Sequence, residues 1–246
     1  MTSIDQMKQA IREQVWTRLV ATGVVEADAV GYIPTFDGSD QAAARLATLP
    51  VWQSAQVVKA VPDQAQQPVR ERALADGKLV YMAASRLATA KPFYLLDPRE
   101  LSVPAAEAAD HRVAAHVAPA VEISEMQPLD LVVVGSVAVN NHGARLGKGA
   151  GYADLEIGLL TEAGLLGEQT VIATTVHELQ VRDEELPELD HDFRVDVIVT
   201  PMRVIWCGHP KRPTGLDWSA LRPEQIAAIP VLARRAEPAT TCENPR

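Results

Sequence analysis

The pattern of apolar and polar positions divides this chain into short, regular pieces. Ile4, Met7, Ile11, Val15 and Leu19 recur at spacings of three and four, which predicts an opening amphipathic helix that ends near Gly23. Further helices are predicted over residues 40–48, 68–76 and 154–166. Short apolar runs at 57–58, 78–82, 93–96, 131–134, 171–175 and 195–199 read as strands. Continuous apolar runs of this length suit strands buried on both faces, as in a parallel sheet between helical layers. The expected fold class is therefore α/β, a three-layer α/β/α domain with a mostly parallel central sheet. Proline and arginine become more frequent after Pro201, so the domain is expected over 1–201, with a C-terminal extension over 202–246 whose last ten residues are disordered.

One segment breaks the pattern. Between the apolar run at 131–134 and the helix predicted from 154 lies Gly143-Ala-Arg-Leu-Gly-Lys-Gly-Ala-Gly-Tyr-Ala-Asp154, in which glycines alternate with Arg145 and Lys148. A backbone without Cβ atoms can turn its N–H groups toward one point, and a helix N-terminus behind it favours negative charge. The segment thus reads as a phosphate-binding loop. It is not a Walker loop, since only three residues separate Gly143 from Gly147 and Gly149 stands where a hydroxyl is required. Nor does Gly147-x-Gly149-x-Gly151 have the spacing or the early position of a dinucleotide fingerprint.

Composition narrows the partners. The 246 residues are 47% hydrophobic and 22% charged, the make-up of a soluble globular protein. A net charge of −9 argues against general nucleic-acid binding, although it leaves room for a local basic pocket. The apolar run from Leu131 is too short to span a bilayer, and the N-terminus lacks the pattern of a secretory signal. Cys207 and Cys242 are too few and too far apart for a disulfide framework, so a cytoplasmic location is expected. Lys8 and Arg12 share one face of the first helix, where on the residues alone they read as solvated cations.

Several segments together resemble the 5-formyltetrahydrofolate cyclo-ligase family (methenyltetrahydrofolate synthetases). The stretch from Gly143 to Asp154 is similar to that family's glycine-rich segment except at Ala153, where the family has a second tyrosine. His191-Asp-Phe-Arg-Val-Asp-Val-Ile-Val-Thr200 is similar to its later His-Asp and Val-x-Thr motif, and Lys8 and Arg12 match its opening helix. The resemblance implies an α/β/α enzyme that uses ATP and Mg²⁺. In that reaction the formyl oxygen of 5-formyltetrahydrofolate attacks the γ-phosphate and N10 closes the ring to 5,10-methenyltetrahydrofolate. It also implies that Gly143, Arg145, Leu146, Gly147, Lys148, Gly149, Gly151 and Tyr152, with Lys8 and Arg12, bind the nucleotide. Arg145 and Lys148 would act on the transferred phosphoryl group, and Asp154 would hold the metal.

The chain departs from the family at Val139, Asn140, Ala153 and Leu155, where an aromatic, an acid, a tyrosine and a basic residue are usual. The loss of two aromatics and one acid, at Val139, Ala153 and Asn140, predicts a thinner folate half beside an intact phosphate half. The alternative is therefore a divergent member without cyclo-ligase turnover, binding a phosphorylated, thiamine-related heterocycle or sensing a nucleotide or folate. Either way the expected partner is a small molecule, a reduced folate or related heterocycle, with no nucleic acid or membrane. Secondary candidates are Arg70 as an anion ligand behind Pro68, His177 with Glu178 at a strand end, His191 with Asp192 as a proton-transfer pair, and a poor metal set at Cys207 and His209.

Overall fold

The computed structural model describes residues 3–208 and 211–236. The first helix, α1 (Ile4–Ala21), starts at a capping box in which Ser3 and Gln6 exchange side-chain and backbone hydrogen bonds. It is followed by α2 (Ser39–Ala47), α3 (Pro50–Ser54), β1 (Val57–Ala60), α4 (Gln67–Ala75), β2 (Leu79–Ala83) and β3 (Phe93–Leu96). Next come α5 (Ala105–Ala108), α6 (His111–Val117), β4 (Ala120–Val121), β5 (Leu129–Val134), β6 (Ala138–Asn140) and β7 (Arg145–Leu146). The chain continues through α7 (Tyr152–Glu162), β8 (Leu166–Thr175), β9 (Val181–Arg182), β10 (Val197–Val199), β11 (Val204–Trp206), α8 (Pro223–Ala228) and α9 (Pro230–Ala236).

An eight-stranded sheet of order β11-β10-β8-β5-β1-β2-β3-β4 forms the middle layer. Strands β10, β8, β5, β1 and β2 run parallel, while β11 pairs antiparallel with β10 at one margin, and at the other β3 pairs antiparallel with both β2 and β4. Alternate residues of each central strand enter opposite cores. Val132 and Val134 pack with α7 through Ile157, Leu159 and Leu160, whereas Leu131 and Val133 pack with α2 and α4 through Leu46, Val69 and Leu74. The fold is thus the expected three-layer α/β/α arrangement. A small sheet of order β7-β6-β9 lies against α1, where Val15, Trp16 and Leu19 meet Ala138 and Leu146.

The elements differ from expectation in ways the backbone explains. The helix predicted over 154–166 is α7, which begins two residues earlier and stops at Glu162. Gly164 adopts φ +69°, and Leu165 N–H turns back to the Leu160 carbonyl, a glycine-terminated helix end that releases Leu166 into β8. The strand expected from Val195 begins at Val197, because Val195 N–H donates to the Gly143 carbonyl rather than to the sheet. Residues after 201 add β11 to the sheet edge, and Ile229 and Leu232 join the α7 core. Glu162 at the end of α7 accepts from Leu216 N–H and pairs with Arg235.

Gly143 closes the turn between β6 and β7 at φ +85°. A Cβ there would lie 2.2 Å from the Val195 carbonyl oxygen. Left-handed backbone and a backbone clash coincide, so Gly143→Ala should lower unfolding stability by about 2–4 kcal/mol. Denaturant titration of the two proteins checks this, and a variant as stable as its parent contradicts the geometry.

Candidate functional site

The parallel strands all end at one edge, and the chain order reverses there: β1 leads to β2 on one side, then β5 lies on the other. Crevices at such switch points are the usual ligand sites of open α/β sheets. A cavity of about 590 Å³ occupies this one, well inside the range of small-molecule sites. Val61, Pro62 and Asp63 after β1, Ala84 and Arg86 after β2, and Gly135 after β5 contribute to its wall.

The residues singled out from the sequence meet in this cavity. Lys8 and Arg12 arrive from α1, and Arg145 and Leu146 from β7. Gly147, Lys148, Gly149 and Gly151 arrive from the loop, and Tyr152 and Asp154 from the first turn of α7. Gly143 does not line it; its part is the hairpin turn. The glycine loop wraps around Arg12, whose Nε donates to the Gly147 carbonyl at 2.7 Å. Gly149 lies beside the Arg12 guanidinium and adopts φ +98°, a backbone conformation that favours glycine. Gly151, at φ +74°, starts α7 with no side-chain cap, leaving the helix N-terminus open toward the cavity.

Arg145 is 6% exposed, and its guanidinium stacks 4.7 Å from the centroid of the Phe193 ring. One terminal nitrogen donates to the Gly135 carbonyl at 3.1 Å, and the other lies 3.6 Å from Asp154 Oδ1. Its buried Nε has no acceptor among the described residues. Lys8 pairs with Asp192 at 2.5 Å, and Lys148 pairs with Asp63 at 3.0 Å. Arg12, by contrast, makes no ion pair among the described residues, and burial followed by the nearby Arg145 charge pulls its pKa down. An anion beside Arg12 and Arg145 would relieve that repulsion. Burial raises the Asp154 carboxyl above its ordinary value, with Arg145 opposing and Asp192 reinforcing the shift.

Other candidates fall elsewhere. Arg70 is turned inward, donating to the carbonyls of Ala109, Val61 and Asp63; it braces the cavity wall rather than meeting an anion. His177 caps the turn after β8 by accepting from Leu179 N–H, and burial lowers its pKa. His191 lies between Asp192 and Asp217 at 4.0 and 3.9 Å, lining the cavity without a direct hydrogen bond to either. Cys207 is buried, with its thiol pushed up to about 11, and His209 lies outside the described residues. No cluster of three or more His, Cys, Asp or Glu with metal-binding geometry occurs among the described residues. No helix among them is long and apolar enough to cross a membrane.

The positions where the chain departs from the resembling motif divide in two. Val139 is buried in the core, and Asn140 caps its hairpin by accepting from His142 and Ala144 N–H; neither lines the cavity. Leu155 is also buried core, so of these positions only Ala153 faces the ligand space. The thinning of the folate half expected from Val139 and Asn140 is therefore not found at the cavity wall. Reading the sequence alone missed Asp5, Tyr32, Asp63, Arg86 and Glu156, which do line it, and Lys59 behind Glu156. Arg86 holds a left-handed φ of 59°, a strained position of the kind that clusters at functional sites.

The family model for the 5-formyltetrahydrofolate cyclo-ligase family matches residues 4–201. The chain is 36% identical over 237 residues to a mouse methenyltetrahydrofolate synthase domain-containing protein, and 35% identical over 238 residues to its human counterpart. Those alignments cover 94% of this chain but only 63% and 61% of the relatives, so the chain spans about three-fifths of their length. The fold is similar to that of Aquifex aeolicus 5,10-methenyltetrahydrofolate synthetase, with a TM-score of 0.53 at 20% identity, covering 86% of this chain and 98% of the other. The chain belongs to the 5-formyltetrahydrofolate cyclo-ligase family.

Proposed function

We propose that the protein is a cytoplasmic enzyme that converts 5-formyltetrahydrofolate to 5,10-methenyltetrahydrofolate with ATP and Mg²⁺. The observation that carries this reading is the meeting of the glycine loop, the open start of α7, Arg145 and the unpaired Arg12 in one cavity. Phosphoryl transfer needs little covalent chemistry from a protein; it needs fixed cations and N–H dipoles around the moving charge. Arg12 and Arg145 would bear on the γ-phosphate oxygens. Lys148, freed from Asp63, would follow the charge as it shifts. Asp154 would hold Mg²⁺, which takes one or two carboxylates and completes its shell with phosphates and water, so the lack of a three-ligand cage is no obstacle. When bound, the metal would neutralise charge on the bridging oxygens.

The apolar wall of Ile33, Val61 and Leu146, with the rings of Tyr32 and Tyr152, offers a planar heterocycle a place beside the phosphate end. Ala153 leaves one aromatic fewer than the family motif. That favours a second reading, in which the same cavity takes a phosphorylated heterocycle without ligase turnover.

Mixing the purified chain with ATP, Mg²⁺ and 5-formyltetrahydrofolate should produce methenyl absorbance. Absence of product at high protein concentration, with ATP still bound, moves the assignment to the second reading. Arg145→Ala should weaken ATP binding about tenfold to a hundredfold, the value of a charged hydrogen bond, by calorimetric titration. Unaltered affinity would remove the loop from the site.

Acidity offers a separate check. Because the Asp154 carboxyl titrates above 3.8, the Mg²⁺ dependence of nucleotide binding should fade at a higher pH than for an ordinary aspartate. The sign for folding is opposite. Ionised Asp154 is penalised in the folded state, so its favourable share of stability is present below 3.8 and lost as pH rises through the raised value. Asp154→Asn should therefore melt at a higher temperature than the parent at pH 7, with the gap narrowing on acidification. Melting curves at several pH values show whether it does.

A further inference from the structure

Lys59 lies in the middle of β1 with 0% exposure, opposite Tyr81 and Val132 in register. Its ammonium reaches across the layer to Oε2 of Glu156 on α7. Glu156 is 5% exposed and is one of the residues that line the cavity. Among the described residues no other donor meets that carboxylate, which can accept about four hydrogen bonds. We infer that Glu156, aimed by Lys59, reads the donor edge of the ligand's ring, selecting an aminopyrimidine-type heterocycle whose adjacent N–H groups point at the carboxylate.

The inference deepens the proposed reading of this cavity and rests on it. A buried ion pair is weak evidence for stability, since apolar residues of similar volume often serve as well or better. The second carboxylate oxygen is not a buried orphan, so it stays open to a donor, and a ligand N–H that replaces water there makes a charged hydrogen bond. Lys59 is fully covered, so a ligand meets the acceptor and not the ammonium. Phosphates have their own partners in Arg12, Arg145 and Lys148, which line the same cavity. Tyr152 lies one helical turn before Glu156, on the same face and in the same wall, and places an aromatic ring beside the reading carboxylate. A ring with an exocyclic amino group next to a ring N–H, as in a pterin, presents two donors to one carboxylate. An oxo group in place of the amino group presents an acceptor and is repelled.

The test uses the full chain and two ring probes, 2-amino-4-oxopteridine and 2,4-dioxopteridine, with ATP titrated in parallel. The parent should prefer the amino ring by at least about tenfold, the scale of a charged hydrogen bond. Glu156→Gln turns an N–H₂ toward the ligand and should abolish that preference, with ATP affinity changed less than about twofold. The double variant K59M/E156M, an apolar replacement expected to fold, should also show no preference, and it decides the matter if Glu156→Gln does not fold. A parent without preference, or a preference that survives in whichever variant folds, overturns the inference. Preference without ATP binding supports the ring-reading role and counts against the phosphate reading alone.

Discussion

The Arg145 guanidinium is the point on which the site is built. It is a buried charge on β7 that stacks on Phe193, donates to the Gly135 carbonyl beyond β5 and lies beside Asp154 on α7. A guanidinium offers a rigid planar fork and an aromatic-friendly face, so one side chain can tie four separate segments together. Removing it would leave the Phe193 ring, the Gly135 carbonyl and Asp154 without their shared partner. The ring of Phe193 thereby has a role in the cavity although it is itself fully buried.

Around this point the cavity alternates charges. Lys8 with Asp192, Lys148 with Asp63, Lys59 with Glu156, and Arg145 with Asp154 join elements distant in sequence. Arg12 alone among these cations carries no carboxylate partner, and it lies against the glycine loop. A chain with a net charge of −9 can in this way still keep one cation in the pocket without a carboxylate partner.

Much of the architecture was legible in the residues. The apolar run over Leu131-Val-Val-Val134 announces a strand covered on both faces, and the structure puts its alternate residues into two cores. The glycine loop was legible too, because unusual backbone freedom leaves an unusual composition. Very short strands such as β7 and β9 were not, since two residues carry no periodicity. Lys59 and Glu156 did leave a trace: each is a lone charge inside an otherwise apolar run. Opposite charges buried in two separate elements must find each other or some other partner, and that rule points to the pair before any coordinates do.

Val139 and Asn140 mark the other limit. They match the family's usual aromatic and acid in sequence position, but the hairpin turns one into the core and uses the other as a cap. By itself the chain determined its layers, its parallel strands and a phosphate-like loop, because burial, periodicity and backbone freedom are local properties written residue by residue. Only the tertiary structure decided which cation stays unpaired, which glycine serves the turn and which carboxylates line the cavity. Those outcomes depend on distances between elements far apart in the chain, and electrostatic pairing in a buried site is set by such distances rather than by residue type.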